Sequence, residues 1–137
     1  MPDIRRAVPC PSTASLRKDH ELPEVTARAG WRYHHLGIPT QIPHPAEKYL
    51  ADFRMFVSGF ETSPYGIEWM RFEENSPLPE LVRTVPHVAF LVDNLESALE
   101  GKSLLSGISA PSEGVRIAMI ADNGAPVELM EFRKTQE

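Results

Sequence analysis

The sequence predicts an α+β fold made of two related units, and three observations carry that expectation. The first is an echo: Val127-Glu128-Leu129-Met130-Glu131-Phe132 repeats the pattern of Ile67-Glu68-Trp69-Met70-Arg71-Phe72. The second is a pair of histidine-led segments upstream of the two copies, His35-Leu36-Gly37-Ile38 and His87-Val88-Ala89-Phe90. The third is the element order of the second half, which reads strand, helix and then three strands. Self-similarity within a chain outranks single local signals when a fold is inferred. Successive strands after one helix favour α+β over an alternating parallel α/β sheet.

The 137-residue length suits one domain or two half-domains sharing a core. Such a chain buries roughly two-thirds of its unfolded surface, so it needs no staple. Hydrophobic residues make up 42% and charged residues 24%, which is ordinary for a soluble globular protein. A net charge of −5 with no basic run argues against nucleic acid as the main partner, because affinity there rests on clustered Lys and Arg. Cys10 stands alone, so no intrachain disulfide forms and a reducing compartment is expected. The N-terminus lacks the apolar core of a secretory signal. The apolar runs are too short to span a membrane. These features lead to an expectation of a soluble cytoplasmic protein without nucleic-acid or membrane partners.

Residues 1–30 carry Pro2, Pro9, Pro11 and Pro23 without a sustained apolar period, and read as an N-terminal arm with at most a turn of helix over Leu16–Glu24. His20 falls in a polar cluster and reads as solvated. The domain proper is expected over 31–133, with modules at 31–79 and 85–133 and a polar tail at 134–137. Trp31–Ile38 is the first strand, and strict alternation puts Tyr33, His35 and Gly37 on one face and His34, Leu36 and Ile38 on the other. Ala46–Phe53 reads as a helix, with Pro45 suited to its first position. Arg54–Phe60 and Ile67–Phe72 are strands, and Glu74–Pro79 connects the halves.

In the second half Val85–Val92 is a strand. Asp93 or Asn94 caps a helix through Leu95, Ala98 and Leu99 that ends at Gly101. Lys102–Ile108 is a strand, Ser109–Gly114 a loop, and Val115–Ala121 a strand. Asp122-Asn123-Gly124 signals a hairpin into Val127–Phe132. Two units of this kind combine their sheets into one concave surface with equivalent positions in each half.

The repeated polar positions are His35, Glu68, His87 and Glu128, each among apolar or small neighbours on its strand face. A bare carboxylate in such surroundings is costly unless it meets a cation or hydrogen bonds. One divalent metal satisfies all four. Two imidazoles and two carboxylates suit Zn, Ni, Co, Mn or Fe(II), with water completing the shell. Taken singly, a strand His is usually a structural hydrogen-bonded group and a strand Glu usually faces water; the repetition is what favours metal. Glu73 and Glu131 compete with Glu68 and Glu128 if a register slips by an odd number of residues. His34 is expected to be a packing or outer-sphere group; His44, in a loop between two prolines, is within reach of the cleft but is expected to be exposed.

On these segments the chain resembles the vicinal-oxygen-chelate (VOC) superfamily, the glyoxalase, bleomycin-resistance and extradiol-dioxygenase group. The resemblance rests on His35-Leu36-Gly37-Ile38, on Pro86-His87-Val88-Ala89-Phe90-Leu91-Val92-Asp93-Asn94-Leu95 and on the Val127–Phe132 echo, and covers about residues 31–133. It implies paired βαβββ modules, a cup-shaped sheet, and a metal held by His35, Glu68, His87 and Glu128. It also implies a small-molecule substrate bound through adjacent oxygens, an enediolate or related oxyanion stabilised by the metal, and a homodimer. The chain departs from the pattern after the first expected helix, where Arg54–Phe72 accommodates two strands instead of three, so the first module is expected to be abbreviated.

The function expected is therefore that of a metal-dependent isomerase, epimerase or lyase of glyoxalase type. Glu128 or Glu68 is the candidate general base, with Glu113 as a weaker loop candidate. Arg71, Arg83 and Arg116 are candidates for an anionic substrate, set against ordinary surface ion pairing. An Fe(II) ring-cleaving dioxygenase requires two histidines, one carboxylate and open positions. A metal-free binding or resistance protein would instead use an aromatic cleft drawn from Trp31, Tyr33, Phe56, Phe60, Tyr65 and Trp69.

Overall fold

The computed structural model describes Arg5 and residues 20–133. The Cys10 reading, most of the N-terminal arm and the 134–137 tail lie outside the described residues. After a four-residue helix α1 (Glu24–Ala27), nine strands and two further helices follow. The strands are β1 (Arg32–Pro39), β2 (Lys48–Leu50), β3 (Met55–Ser58), β4 (Ile67–Phe72), β5 (His87–Leu91), β6 (Ser103–Leu104), β7 (Ser109–Ser112), β8 (Val115–Asp122) and β9 (Ala125–Phe132). The helices are α2 (Glu80–Thr84) and α3 (Leu95–Leu99).

The strands form one curved, open sheet in the order β2-β3-β4-β1-β5-β9-β8-β6, with β7 also paired to β8. Each half closes on a parallel pair, β1 with β4 and β5 with β9, while β1 and β5 join the halves antiparallel. The duplicated unit is thus visible in the topology: the first and last strands of each half lie side by side at the centre.

The second half follows its sequence signals closely. The Asn94 side chain accepts a hydrogen bond from the Ser97 N–H and caps α3. Asn123 and Gly124 both have positive φ, at 51° and 82°, and form the two-residue turn that pairs Asp122 with Ala125. The face of β8 and β9 turned toward α3 carries Ala118, Ile120 and Leu129, which pack with Val92 and Leu95 in the buried core. Burying Leu95 and Leu129 completely contributes about 2 kcal/mol each. The strand expected over 102–108 is shorter, Ser103–Leu104, and the loop expected over 109–114 holds β7 and a turn at Glu113-Gly114.

The first half departs more. The segment expected to be helical over 46–53 is β2 followed by a 3-10 turn at Ala51–Phe53. Ala46 has a φ of 61°, which a right-handed helix excludes, and Lys48, Tyr49 and Leu50 pair with Val57, Phe56 and Met55. The first module is therefore abbreviated in its helix, not in its strands: β2, β3 and β4 supply three strands where two were expected. The connector after Pro79 forms α2, which buries Val82.

β1 also breaks the expected alternation. Tyr33 pairs with Phe90 while His35 pairs with the next residue, Ala89, so β1 carries one extra residue at His34. Paired residues of antiparallel strands share a face. The bulge therefore turns Tyr33 away from the His35 face.

Candidate metal centre

Backbone register builds the site. Gly37 pairs with His87 across β1 and β5, and with Glu68 across β1 and β4. Ala89 pairs with His35 across the same central pair, and with Glu128 across β5 and β9. Each half thus presents a small residue flanked by its own carboxylate and by the histidine of the other half. The small residue matters sterically. A Cβ on Gly37 would lie 2.2 Å from His87 Cε1, so the imidazole occupies the space that glycine leaves.

His35, His87 and Glu128 converge. His87 Nε2 lies 2.9 Å from Glu128 Oε1, His35 Nε2 lies 3.3 Å from the same oxygen, and the two Nε2 atoms are 3.4 Å apart. Their residues are only 4%, 3% and 8% exposed, so the carboxylate depends on these neighbours for compensation. Ligands held at ~2.1 Å around one tetrahedral ion stand about 3.4 Å from each other. The separations in this cluster match that spacing, and all three donor atoms lie within 4.8 Å of one another. The residues present therefore fit a divalent ion. Glu68 is set back: its Oε1 is 4.0 Å from His35 Nε2 and its side chain is 25% exposed.

The electrostatics follow from burial and mutual contact. Burial alone would raise the Glu128 pKa, but hydrogen bonds from His35 and His87 prevail and hold it at about 2. Burial opposes the His35 imidazolium, yet the Glu128 hydrogen bond and charge outweigh it and raise the His35 pKa. Glu68 goes the other way from Glu128, pushed up by burial with only partial compensation from His35. His34 Nδ1 lies 2.7 Å from His35 Nδ1, and His34 stacks on Phe60 at 4.9 Å. This contact orients the His35 ring from outside the cluster, as outer-sphere partners of metal-binding histidines do. The bulge brings it about, so His34 lines the site cavity where alternation placed it on the far face. His87 Nδ1 is buried without a partner, so packing over Gly37 takes the place of a hydrogen bond for that ring.

The remaining candidates fall elsewhere. Glu131 is buried on the opposite side of β9, where it accepts from the Leu95 N–H at 2.8 Å and from Arg116 and Arg133 at 3.1 and 2.6 Å. Glu73 receives the Tyr49 hydroxyl hydrogen bond. Neither belongs to the cluster. Glu113 is exposed in the β7–β8 turn and does not line the cavity. Arg71 makes a two-point contact with Glu47, Arg116 pairs with Glu96 and Glu131, and Arg83 donates to the Leu78 carbonyl. His20 is solvent-exposed beside Glu21. His44 is half-buried and stacks on Trp69 with rings 5.0 Å apart and 9° from parallel, lining a cleft beside Glu68.

The cavity above the cluster has a volume of about 200 Å³. Its walls include Met70 and Met130, which alternation puts on the faces of Glu68 and Glu128, and Met55 and Met119, which the sequence places only in strands. The Met70 and Met130 echo was the available signal. Met55 and Met119 have none, because their convergence depends on how β3 and β8 wrap around the centre.

Neither a family model nor a curated protein matches the sequence. The architecture does match solved structures. A hypothetical protein from Bacillus halodurans superposes with a TM-score of 0.59 at 15% identity, over 78% of this chain and 98% of that one. Methylmalonyl-CoA epimerase from Mycobacterium tuberculosis superposes with a TM-score of 0.53 at 18% identity, over 75% of this chain and 89% of that one. The fold is glyoxalase-like. The curved sheet and its paired modules accord with that class. Among the described residues, no helix is long and apolar enough to cross a membrane.

Proposed function

We propose that this chain is a divalent-metal-dependent enzyme of the VOC type, an isomerase, epimerase or lyase acting on a small oxygenated metabolite. One observation carries the reading: two imidazole nitrogens and a carboxylate oxygen from three different strands meet within 4.8 Å in a buried site. His35, His87 and Glu128 hold the ion, with Glu68 as a fourth, more distant ligand. A bound ion would supply Lewis acidity toward an oxygen of the substrate. The protein's own contribution is positional. His34 sets the His35 ring, and Gly37 admits the His87 ring. Glu68, half withdrawn and with its pKa raised by burial, suits a carboxylate that takes or returns a proton beside that centre. The fold shared with methylmalonyl-CoA epimerase supports a reaction of that general kind. All four side chains come from one chain, so the proposed ligand set needs no neighbouring subunit.

Metal analysis of the purified protein tests the reading. About one equivalent of divalent ion is expected in the wild type. Glu128→Gln is expected to lose it, while Glu68→Gln keeps most of the metal and loses proton exchange at the substrate carbon. A wild-type protein that takes up no ion would overturn the reading.

The set-back position of Glu68 also favours a second reading. His35, His87 and Glu128 alone make a two-histidine, one-carboxylate set with open positions, the pattern of Fe(II) oxygenases. Oxygen consumption with a catechol in the Fe(II)-loaded protein, absent with Zn, would select it.

A further inference from the structure

His44 and Trp69 form a stacked pair that the metal cluster does not use, with rings 5.0 Å apart and 9° from parallel. Both rings are held in place. Pro43 and Pro45 stiffen the chain on either side of His44. The His44 backbone N–H donates to the Glu47 carboxylate, which Arg71 grips at 2.9 and 2.8 Å. Arg71 in turn lies over the Phe56 ring, 4.1 Å from its centroid. The Trp69 indole packs beside Gly59, where a Cβ would fall 3.0 Å from Cδ1.

His44, Trp69 and Phe60 line a cleft of about 440 Å³. That is larger than the cavity over the cluster, at about 200 Å³, and lies within the ~300–1,000 Å³ of sites for small-molecule ligands. Phe60 is 36% exposed and Trp69 and His44 are half-buried, so this aromatic surface borders open space instead of core. Glu68 and Val57 belong to the walls of both spaces, so the cleft adjoins the cavity at the Glu68 carboxylate. Phe60 also stacks on His34, which contacts His35, so the cleft wall is continuous with the support of the cluster. Fixed rings favour a flat partner, because offset stacking rewards a π face that a saturated body of equal size lacks.

We infer that the cleft is a second binding site, which takes a planar aromatic or heteroaromatic ring stacked on the His44–Trp69 pair. As a statement about substrate, this deepens the metal-enzyme reading and rests on it: the molecule carries oxygens at one end for the cluster and a flat ring at the other for the cleft. As a statement about the cleft, it is testable without metal.

The test uses the full chain labelled with ¹⁵N and treated with a chelator. The two tryptophans give two indole N–H signals, which Trp31→Phe assigns. The probes are 1-naphthol and 1-decalol, which share a carbon skeleton and differ in being flat or puckered. 1-Naphthol is expected to move the Trp69 indole signal upfield and leave that of Trp31, which packs on Phe90 and does not line the cleft. 1-Decalol is expected to bind about five-fold more weakly. His44→Leu is expected to lose about five-fold in 1-naphthol affinity, and His44→Phe, which keeps a ring, to recover most of it. The amide signals of the same spectra report that each variant remains folded. A Trp69 signal that stays still under 1-naphthol, 1-decalol binding as tight as 1-naphthol, or unchanged 1-naphthol affinity in His44→Leu would overturn the inference. Failure of the wild type to take up metal would remove the enzyme reading and leave the cleft result standing. Metal uptake with an unmoved Trp69 signal would remove this inference alone.

Discussion

His87 sits over Gly37, on the strand it pairs with, so closely that a methyl group there would fall 2.2 Å from Cε1 and 2.7 Å from both ring nitrogens. A Cβ never approaches a fixed ring so closely, and His87 is buried, so it has no free space into which to retreat. The glycine is therefore part of the proposed metal site, although it offers no ligand.

Gly37→Ala is expected to push His87 out of the cluster. Metal affinity should fall by at least 100-fold, measured by competition with a chromophoric chelator. The equivalent change in the other half, Ala89→Gly, removes a buried methyl under His35 without adding a clash. It is expected to cost about 1 kcal/mol of stability and to change metal affinity little. Equal affinities for the two variants would show that the close approach plays no part in ligand placement.

The His34–His35 contact leads to a second expectation. With Nδ1 atoms 2.7 Å apart, one ring donates to the other and fixes the His35 tautomer. Burial and the adjacent His35 hold the His34 pKa below its usual value, so His34 is neutral at pH 7. Loss of an outer-sphere partner typically lowers metal affinity by about 10–100-fold. His34→Ala is expected to fall in that range, with the stoichiometry kept at one ion. His34→Gln, which keeps a hydrogen-bonding group, should recover part of the loss. A His34→Ala protein with wild-type affinity would reduce the contact to packing against Phe60.

The metal-free protein should show opposed pH limbs. Glu128 titrates at about 2 in the fold against an ordinary 4.5, so its stabilising contribution is present above 4.5 and disappears as pH falls toward 2. His35 has a raised pKa, so its contribution is complete below the ordinary 6.5 and is lost as pH rises through the raised value. Glu68, also raised, adds a loss of its own that begins as pH rises past the ordinary 4.5 and is complete above its raised value. Calorimetry of the chelator-treated chain should therefore give a Tm that declines above pH 6.5. This decline should be shallower in His35→Asn, and the gap between wild type and Glu128→Gln should shrink as pH drops below 4.5. A Tm that stays level from pH 6.5 to 9, identical in His35→Asn, would contradict the assigned protonation.

What could be read in the chain was the duplication. The echo of His35 and Glu68 in His87 and Glu128 appears as a run of residue types, and strand periodicity states which neighbours share a face. The Asn94 cap and the Asn123-Gly124 turn were equally open to reading, because both depend on a few adjacent residues. Other features arise from partners distant in sequence. The bulge at His34 exists only as a mismatch between β1 and β5, and it moves His34 from the far face into the cavity wall. The helix expected over 46–53 yields to an edge strand because Met55–Val57 offers backbone partners and Ala46 turns the chain the wrong way for a helix. The role of Gly37 is of the same kind, since the ring that needs its missing side chain lies in the other half. Residue identity and spacing thus singled out four candidate groups. Which of them touch was decided by cross-strand register, because a ligand cluster built from separate strands has no local sequence signal for its own closure.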